Sequence, residues 1–238
     1  MNIIKINECD STNNYALSCR STMHFRDGLV IVSDYQTSGK GQRGSKWISE
    51  RGKNLLITIV IEPKLSIDKQ FEISKITSLS ILDCLHSLGI NAKIKWPNDI
   101  LVGMKKISGI LIQNLISKKI ISHSIIGIGL NVNQLKFETY KNIPTSLRLE
   151  LGKNFDIEEV QNKLLYSFQN RVNSYLKESS INSDFNKELF RKDKVSSFKS
   201  STNKFDGIIR GVNDRGLLII EIKNKIQEFD VKEIKMLF

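Results

Sequence analysis

Residues 105–132 read KKISGILIQNLISKKIISHSIIGIGLNV, and their pattern decides the fold class. Two runs rich in isoleucine, 107–116 and 120–132, are joined at Lys118-Lys119 by what reads as a hairpin turn, and a third strand-like run precedes them at 93–96. Working outward, Leu55 to Ile61 alternates β-branched and apolar residues as a central strand does. Leu29 to Val32 reads as a buried strand and Asn2 to Ile6 as an edge strand. Helices are expected from the capping oxygens of Asp10-Ser11-Thr12 to about Arg20, and between Gln70 and Leu88, where apolar residues recur at helical spacing and Gly89 is a good stop. An amphipathic helix is expected over 157–177 and a shorter one over 182–190. Strands and helices interleave without a βαβ rhythm, so the large domain reads as α+β with a mixed sheet. From Lys194 short strands at 195–199, 205–212, 216–222 and 226–230 read as a small β-barrel. The expected division is residues 1–190 and 191–238.

Composition narrows the function classes. The 238 residues are 40% hydrophobic and 26% charged, with three prolines, which is ordinary for a folded globular chain. Cys9, Cys19 and Cys84 are an odd number without C-x-x-C spacing, beside only three histidines. That excludes a disulfide scaffold and a zinc cage and suits a reducing cytoplasm. The longest apolar stretch, Leu55 to Ile61, is too short to span a bilayer, so no membrane role is expected. The net charge of +11 suggests nucleic acid or anionic ligands. It is not evenly spread: residues 40–53 carry +4 and residues 93–119 carry +5. Residues 194–238 hold nine Lys/Arg against six Asp/Glu, hardly a basic stripe for RNA.

Three segments carry chemistry. The loop Thr37 to Trp47 places Gly39, Gly41 and Gly44 among Lys40, Arg43 and Lys46, which lets backbone N–H groups approach an anion. It is neither a Walker loop nor a Rossmann fingerprint. Lys95-Trp96-Pro97-Asn98-Asp99 sets two polar residues between apolar runs, with Lys106 and Gly109 following; Asp99 reads as a magnesium or phosphate-side ligand and Lys106 as an anion clamp. Gly127-Ile128-Gly129-Leu130-Asn131 is a strand whose glycines admit another molecule against the sheet, and Asn131 could read a base or ribose edge. Each segment alone has a plain structural reading: a solvated loop, a turn, a strand end.

As an ordered set, with Asp10-Ser11-Thr12-Asn13 and Gln36, these segments resemble the biotin–protein ligase family over about residues 8–150, and more loosely to the C-terminus. The resemblance implies a catalytic domain of the class II aminoacyl-tRNA synthetase and biotin synthetase type followed by an SH3-like barrel. It implies adenylation of biotin by ATP with Mg²⁺, then transfer to a lysine of a biotin carboxyl carrier protein. Biotin would be held by Ser11, Thr12, Asn13, Gln36, Gly39, Lys40, Gly41, Gln42, Lys106 and Gly109. ATP would be held by Arg43, Trp47, Asn98, Asp99, Lys106 and Asn131, with Lys106 the catalytic cation and Asp99 the magnesium ligand. Many members carry Gly-Arg-Gly-Arg where this chain has Gly39-Lys40-Gly41-Gln42, so weaker retention of the adenylate is expected. About nine residues precede the Asp-Ser-Thr-Asn motif, no room for an N-terminal winged helix, so no DNA partner is expected. A lipoate ligase would carry an Arg-Arg-x-Ser-Gly-Gly-Gly loop, absent here. Monomer and homodimer both stay open.

Overall fold

The structure is a computed structural model that describes residues 1–137, 143–176 and 181–237. Its elements are β1 (Asn2–Ile6), α1 (Thr12–Ser18), β2 (Leu29–Ser33), β3 (Leu55–Ile61), β4 (Leu65–Ser66), α2 (Phe71–Ser87), β5 (Lys93–Lys95), β6 (Asp99–Val102), β7 (Lys105–Ser117) and β8 (Ile120–Leu130). They continue with α3 (Leu147–Leu151), α4 (Ile157–Tyr175), α5 (Ile181–Lys187), β9 (Val195–Ser200), β10 (Lys204–Val212), β11 (Leu218–Ile222), β12 (Lys225–Phe229) and β13 (Ile234–Leu237). The helix expected over 157–177 is α4; residue 177 lies outside the described residues.

The hairpin expected at Lys118-Lys119 forms, with both lysines at positive φ. It joins β7 to β8 in an eight-stranded sheet of order β1-β2-β3-β8-β7-β6-β5, with β4 also paired to β8. β1 runs parallel to β2 and the other pairs are antiparallel, which is the mixed sheet expected from the sequence. Register divides its two faces, because successive side chains of a strand point to opposite sides. Ile57, Ile59, Ile110, Ile126 and Ile128 join the buried face of α2 and α4 in the main core. Leu29, Ile31, Val60 and Ile125 pack with Ala16 of α1 on the other side. Thr58, Leu111, Gly109, Gly127 and Gly129 share that second face, since Thr58 pairs with Gly127, Leu111 with Gly127, and Gly109 with Gly129.

The C-terminal strands form an antiparallel sheet of order β12-β11-β10-β9-β13, consistent with an SH3-like fold. β13 was not anticipated: Val231 to Leu237 mixes charge and apolar residues too evenly to read as a strand, and its partner β9 lies 34 residues earlier (Ile234 with Ser200). The two sheets share one core, in which Phe198, Ile209, Leu218, Ile220 and Ile234 pack in the same cluster as the isoleucines of β3, β7 and β8. Polar ties reinforce the contact. The Trp96 indole N–H donates to the Gly216 carbonyl at 2.9 Å. Lys75, buried on α2, pairs with Glu72 and reaches Asn182 and Asp214. No described helix is long and apolar enough to cross a membrane.

Candidate active site

α1 begins over the sheet face that carries the glycines, and its first turn is polar because it borders a cavity rather than core. Ser11, Thr12 and Asn13 are 2–4% exposed. Ser11 stands at the helix N-cap, yet its hydroxyl makes no capping bond; the local contact is its own N–H donating to Asp10 Oδ1 at 2.7 Å. The cap reading of this serine therefore gives way to a hydroxyl free to face the cavity. Gln36 Oε1 accepts the Thr12 N–H at 2.8 Å. Asn13 lies across Gly127, where a Cβ would sit 2.4 Å from its Oδ1, and its Nδ2 donates to the Leu111 carbonyl and to Gln113 Oε1.

Two residues further along β8, Trp47 covers Gly129. A Cβ there would lie 2.3 Å from Trp47 Cε2, and one at Gly109 would meet Lys106 Nζ and Trp47 Cζ3, each at 3.1 Å. The space that the glycine pattern reserved for another molecule is thus filled in part by this chain's own Asn13 and Trp47. The Trp47 indole N–H is buried and has no hydrogen-bond partner among the described residues. Lys106 Nζ stands 5.5 Å from the Trp47 ring and 2.5 Å from Asp99 Oδ1, while Lys95 Nζ is 3.2 Å from Asp99 Oδ2.

The loop above is closed at its neck. Trp47 N–H donates to the Gly39 carbonyl at 2.9 Å and Gly41 N–H to the Ser45 carbonyl at 2.7 Å. Gly39 is buried in that neck, where a Cβ would come within 2.3 Å of the Trp47 carbonyl oxygen. Lys40 Nζ donates to Asn14 Oδ1 at 3.0 Å, and Arg43 takes a left-handed backbone at φ 55°.

These groups surround a cavity of about 510 Å³. Ser11, Thr12, Asn13, Gln36, Lys40, Gly41, Gln42, Arg43, Trp47, Asn98, Asp99, Lys106, Gly109 and Asn131 all line it. Gly39 does not; it shapes the loop from beneath. Asn98 and Asn131 are partly committed elsewhere, their Nδ2 groups donating to the Ile110 and Thr145 carbonyls at 2.9 and 2.8 Å. Sequence reasoning missed the wall contributed by the C-terminal sheet, including Phe198, Ile209, Leu218, Ile234 and Lys235. The alternation within those strands was visible, but which face meets the cavity was not.

The charge resolves unevenly. Lys40, Arg43, Lys46, Lys95, Lys106 and Lys235 line the cavity, against the single carboxylate of Asp99 among its described lining residues. Lys93, Lys105 and Arg51, counted in the same basic windows, pair instead with Glu188, Glu150 and Glu8. Lys118 and Lys119 sit at the hairpin turn, outside the cavity lining. Among the described residues no three His, Cys, Asp or Glu side chains group as a metal site. Both Asp99 oxygens already face ammonium groups, so this donor set does not fit a magnesium ion held by protein alone.

Residues 6–131 match the family described as Biotin/lipoate A/B protein ligase family. The Bifunctional ligase/repressor BirA of Bacillus spizizenii is 27% identical over 216 residues, covering 88% of this chain and 66% of the relative, so this chain spans about two-thirds of that protein's length. The Biotin--[acetyl-CoA-carboxylase] ligase of Paracoccus denitrificans is 28% identical over 89% of this chain and 90% of its own. Among solved structures, the biotin protein ligase from Aquifex aeolicus in complex with biotin and ATP superimposes with a TM-score of 0.83 at 26% identity, covering 99% of this chain and 98% of that one.

Proposed function

The chain belongs to the biotin/lipoate A/B protein ligase family, and on that premise we propose that it is an ATP-dependent ligase that activates biotin as biotinoyl-AMP and transfers it to a lysine of a biotin carboxyl carrier protein. Residues 1–190 supply the catalytic floor and residues 191–238 a barrel that walls the same cavity. The observation that carries this reading is the placement of Lys106. Its ammonium stands over Gly109, on the same sheet face as the neutral polar corner built around Asn13 on Gly127. The glycines beneath Asn13 and Trp47 are two residues apart on β8, a rise of roughly 7 Å. A ligand with a neutral polar head, a short apolar chain and a carboxylate suits that arrangement, and biotin is such a ligand.

The first step brings an anionic carboxylate to an anionic α-phosphate. Two unit charges about 4 Å apart repel by roughly 4 kcal/mol at an effective dielectric near 20. Lys106 sits where it can offset that repulsion, and Asp99 holds its ammonium before any substrate arrives, so little reorganisation is needed at the moment of reaction. Arg43 and Lys46 add exposed positive charge above the polyphosphate side, and Trp47 offers a flat face for adenine. Magnesium would arrive bound to the ATP phosphates and offset part of their charge. In the second step the carrier lysine attacks the mixed anhydride, AMP leaves, and the closed loop keeps water from the anhydride.

The deciding experiment is ATP–pyrophosphate exchange with biotin or lipoate as the carboxylate. Exchange that depends on biotin and drops about a hundredfold or more in Lys106→Ala supports the reading, the size expected for losing one preorganised electrostatic group. Exchange driven by lipoate alone, or by neither acid, overturns it.

A further inference from the structure

Lys106 sits past the end of its own ladder. β8 stops at Leu130, opposite Ser108 of β7, so Lys106, two residues earlier, has no partner on β8. On the other side β6 is irregular at the same point, its register shifting between Ile100 and Leu101, the partner of Lys106. The short segment 143–145 takes the place of the missing strand. The Lys106 N–H donates to the Ile143 carbonyl and the Thr145 N–H donates to the Lys106 carbonyl, each at 2.8 Å. Register matters here because a slip of one residue would carry the ammonium to the opposite face of the sheet.

The segment is tied back to the same strand by a carboxylate. The Thr145 side chain, on a residue only 1% exposed, donates its hydroxyl to Glu150 Oε1 at 2.5 Å, and the same oxygen accepts Lys105 Nζ at 2.5 Å. Glu150 stands on α3, whose N-cap Ser146 accepts the Leu149 N–H at 3.2 Å, so the carboxylate is offered from a capped turn. The circuit closes: Lys105 to Glu150, Glu150 to Thr145, Thr145 to the backbone of Lys106. Lys105, Thr145 and Glu150 do not line the cavity. Their influence reaches a ligand through residues that do, and Lys106 is the one gripped at both its backbone groups.

We propose that Glu150 is a positioning residue for the adenylation step: through Thr145 and Lys105 it keeps the Lys106 backbone in register, and so keeps the ammonium over Gly109 and against Asp99. This rests on the ligase reading above and deepens it. Lost positioning lowers the rate of the step that Lys106 serves. Lost stability lowers instead the amount of protein able to perform it.

The test follows a single turnover of biotinoyl-AMP formation from biotin and magnesium–ATP on the intact chain. In Glu150→Ala the rate constant is expected to fall about 10- to 100-fold, the size expected of a misplaced reacting group, with the product formed per protein unchanged. Thr145→Val, which removes the hydroxyl link, should lose about three- to tenfold, and Thr145→Ser, which restores it, should stay within about twofold of wild type. In a Lys106→Ala background Glu150→Ala should cost less than about twofold more, because the group it acts through is gone. A full-sized loss in that background, less product at an unchanged rate, or a wild-type rate in Glu150→Ala each overturns the proposal. If Glu150→Ala does not fold, the threonine pair decides: a wild-type rate in Thr145→Val, or an equal loss in Thr145→Ser, overturns it as well. The wild type separates the two readings. Without biotin-dependent product both fall; with it, a failed variant series sinks only the role of Glu150.

Discussion

The two ends of the cavity are built on opposite physical terms. At the α1 end, Ser11, Thr12 and Asn13 are nearly inaccessible, and their neighbours Gln36, Thr58 and Gln113 leave few bonding options open. At the loop end, Lys40, Arg43 and Lys46 are exposed, and an exposed contact such as Lys40 with Asn14 can be exchanged for one to an incoming anion. A neutral head group can be recognised only by hydrogen bonds of fixed direction, so its site must be rigid. A polyphosphate is recognised by field, which tolerates motion and favours side chains that can follow charge as it moves.

That contrast predicts different kinds of failure. The largest effect belongs to Lys106→Ala, the hundredfold or greater loss of exchange given above. Gly127→Ala attacks the rigid end: its Cβ would lie 2.4 Å from Asn13 Oδ1, against a side chain pinned to β7 and β3. We expect biotin KM to rise about tenfold and stability to fall by about 1–3 kcal/mol, read by exchange kinetics and thermal unfolding. Unchanged biotin KM would show that the polar corner is softer than argued.

Gln42→Arg probes the exposed end. Gln42 lines the cavity without a charge, beside Arg43, which lines it too. The substitution should slow release of biotinoyl-AMP about three- to tenfold, a gain of the size expected for one partly exposed charge-assisted contact. A release rate that does not fall removes the loop composition as the cause. Salt should follow the same divide, weakening ATP binding more than biotin binding, since exposed charges are screened and buried amides are not.

Glu150 gives a smaller pH effect. Burial raises its carboxyl, but the hydrogen bonds from Lys105 and Thr145 outweigh that and hold it below its ordinary value of 4.5. A group depressed in the folded state stabilises above its unfolded pKa and loses that contribution as pH falls through the folded one. Acid unfolding below about pH 4.5 should therefore be milder in Glu150→Gln, whose stability no longer depends on that carboxylate; equal acid sensitivity of the two proteins would count against the linkage. The smallest effect is chemical. Burial pushes the Cys84 thiol up to about 12, so a thiol reagent at neutral pH should label Cys84 only on unfolding.

Much of this was legible in the chain itself. The hairpin of β7 and β8, the helix stopped by Gly89, and the order of the motifs follow from local preferences that extend over a few residues: β-branched alternation, helical spacing, glycine at positive φ. The likeness of these segments to a known family also named residues that, with one exception, line the cavity. Gly39 is the instructive exception. Its place in the motif is plain, but only the closed neck of the loop reveals that it supports Trp47 instead of facing the ligand space.

What tertiary structure alone decided are pairings between residues far apart in sequence. Thr58 reads as one more β-branched strand residue until α1 places Thr12 and Asn13 against it, 46 and 45 residues away. Lys93 and Lys105 count as site charge until Glu188 and Glu150 take them. Trp96 passes for plain core until β10 and β11 present the Gly216 carbonyl, 120 residues on. Periodicity and propensity report which face of an element is apolar, because that depends on neighbours within a turn or two. They carry no term for which distant group arrives at the polar face, and at this cavity that arrival sets both the direction of the hydrogen bonds and the charges left facing the ligand.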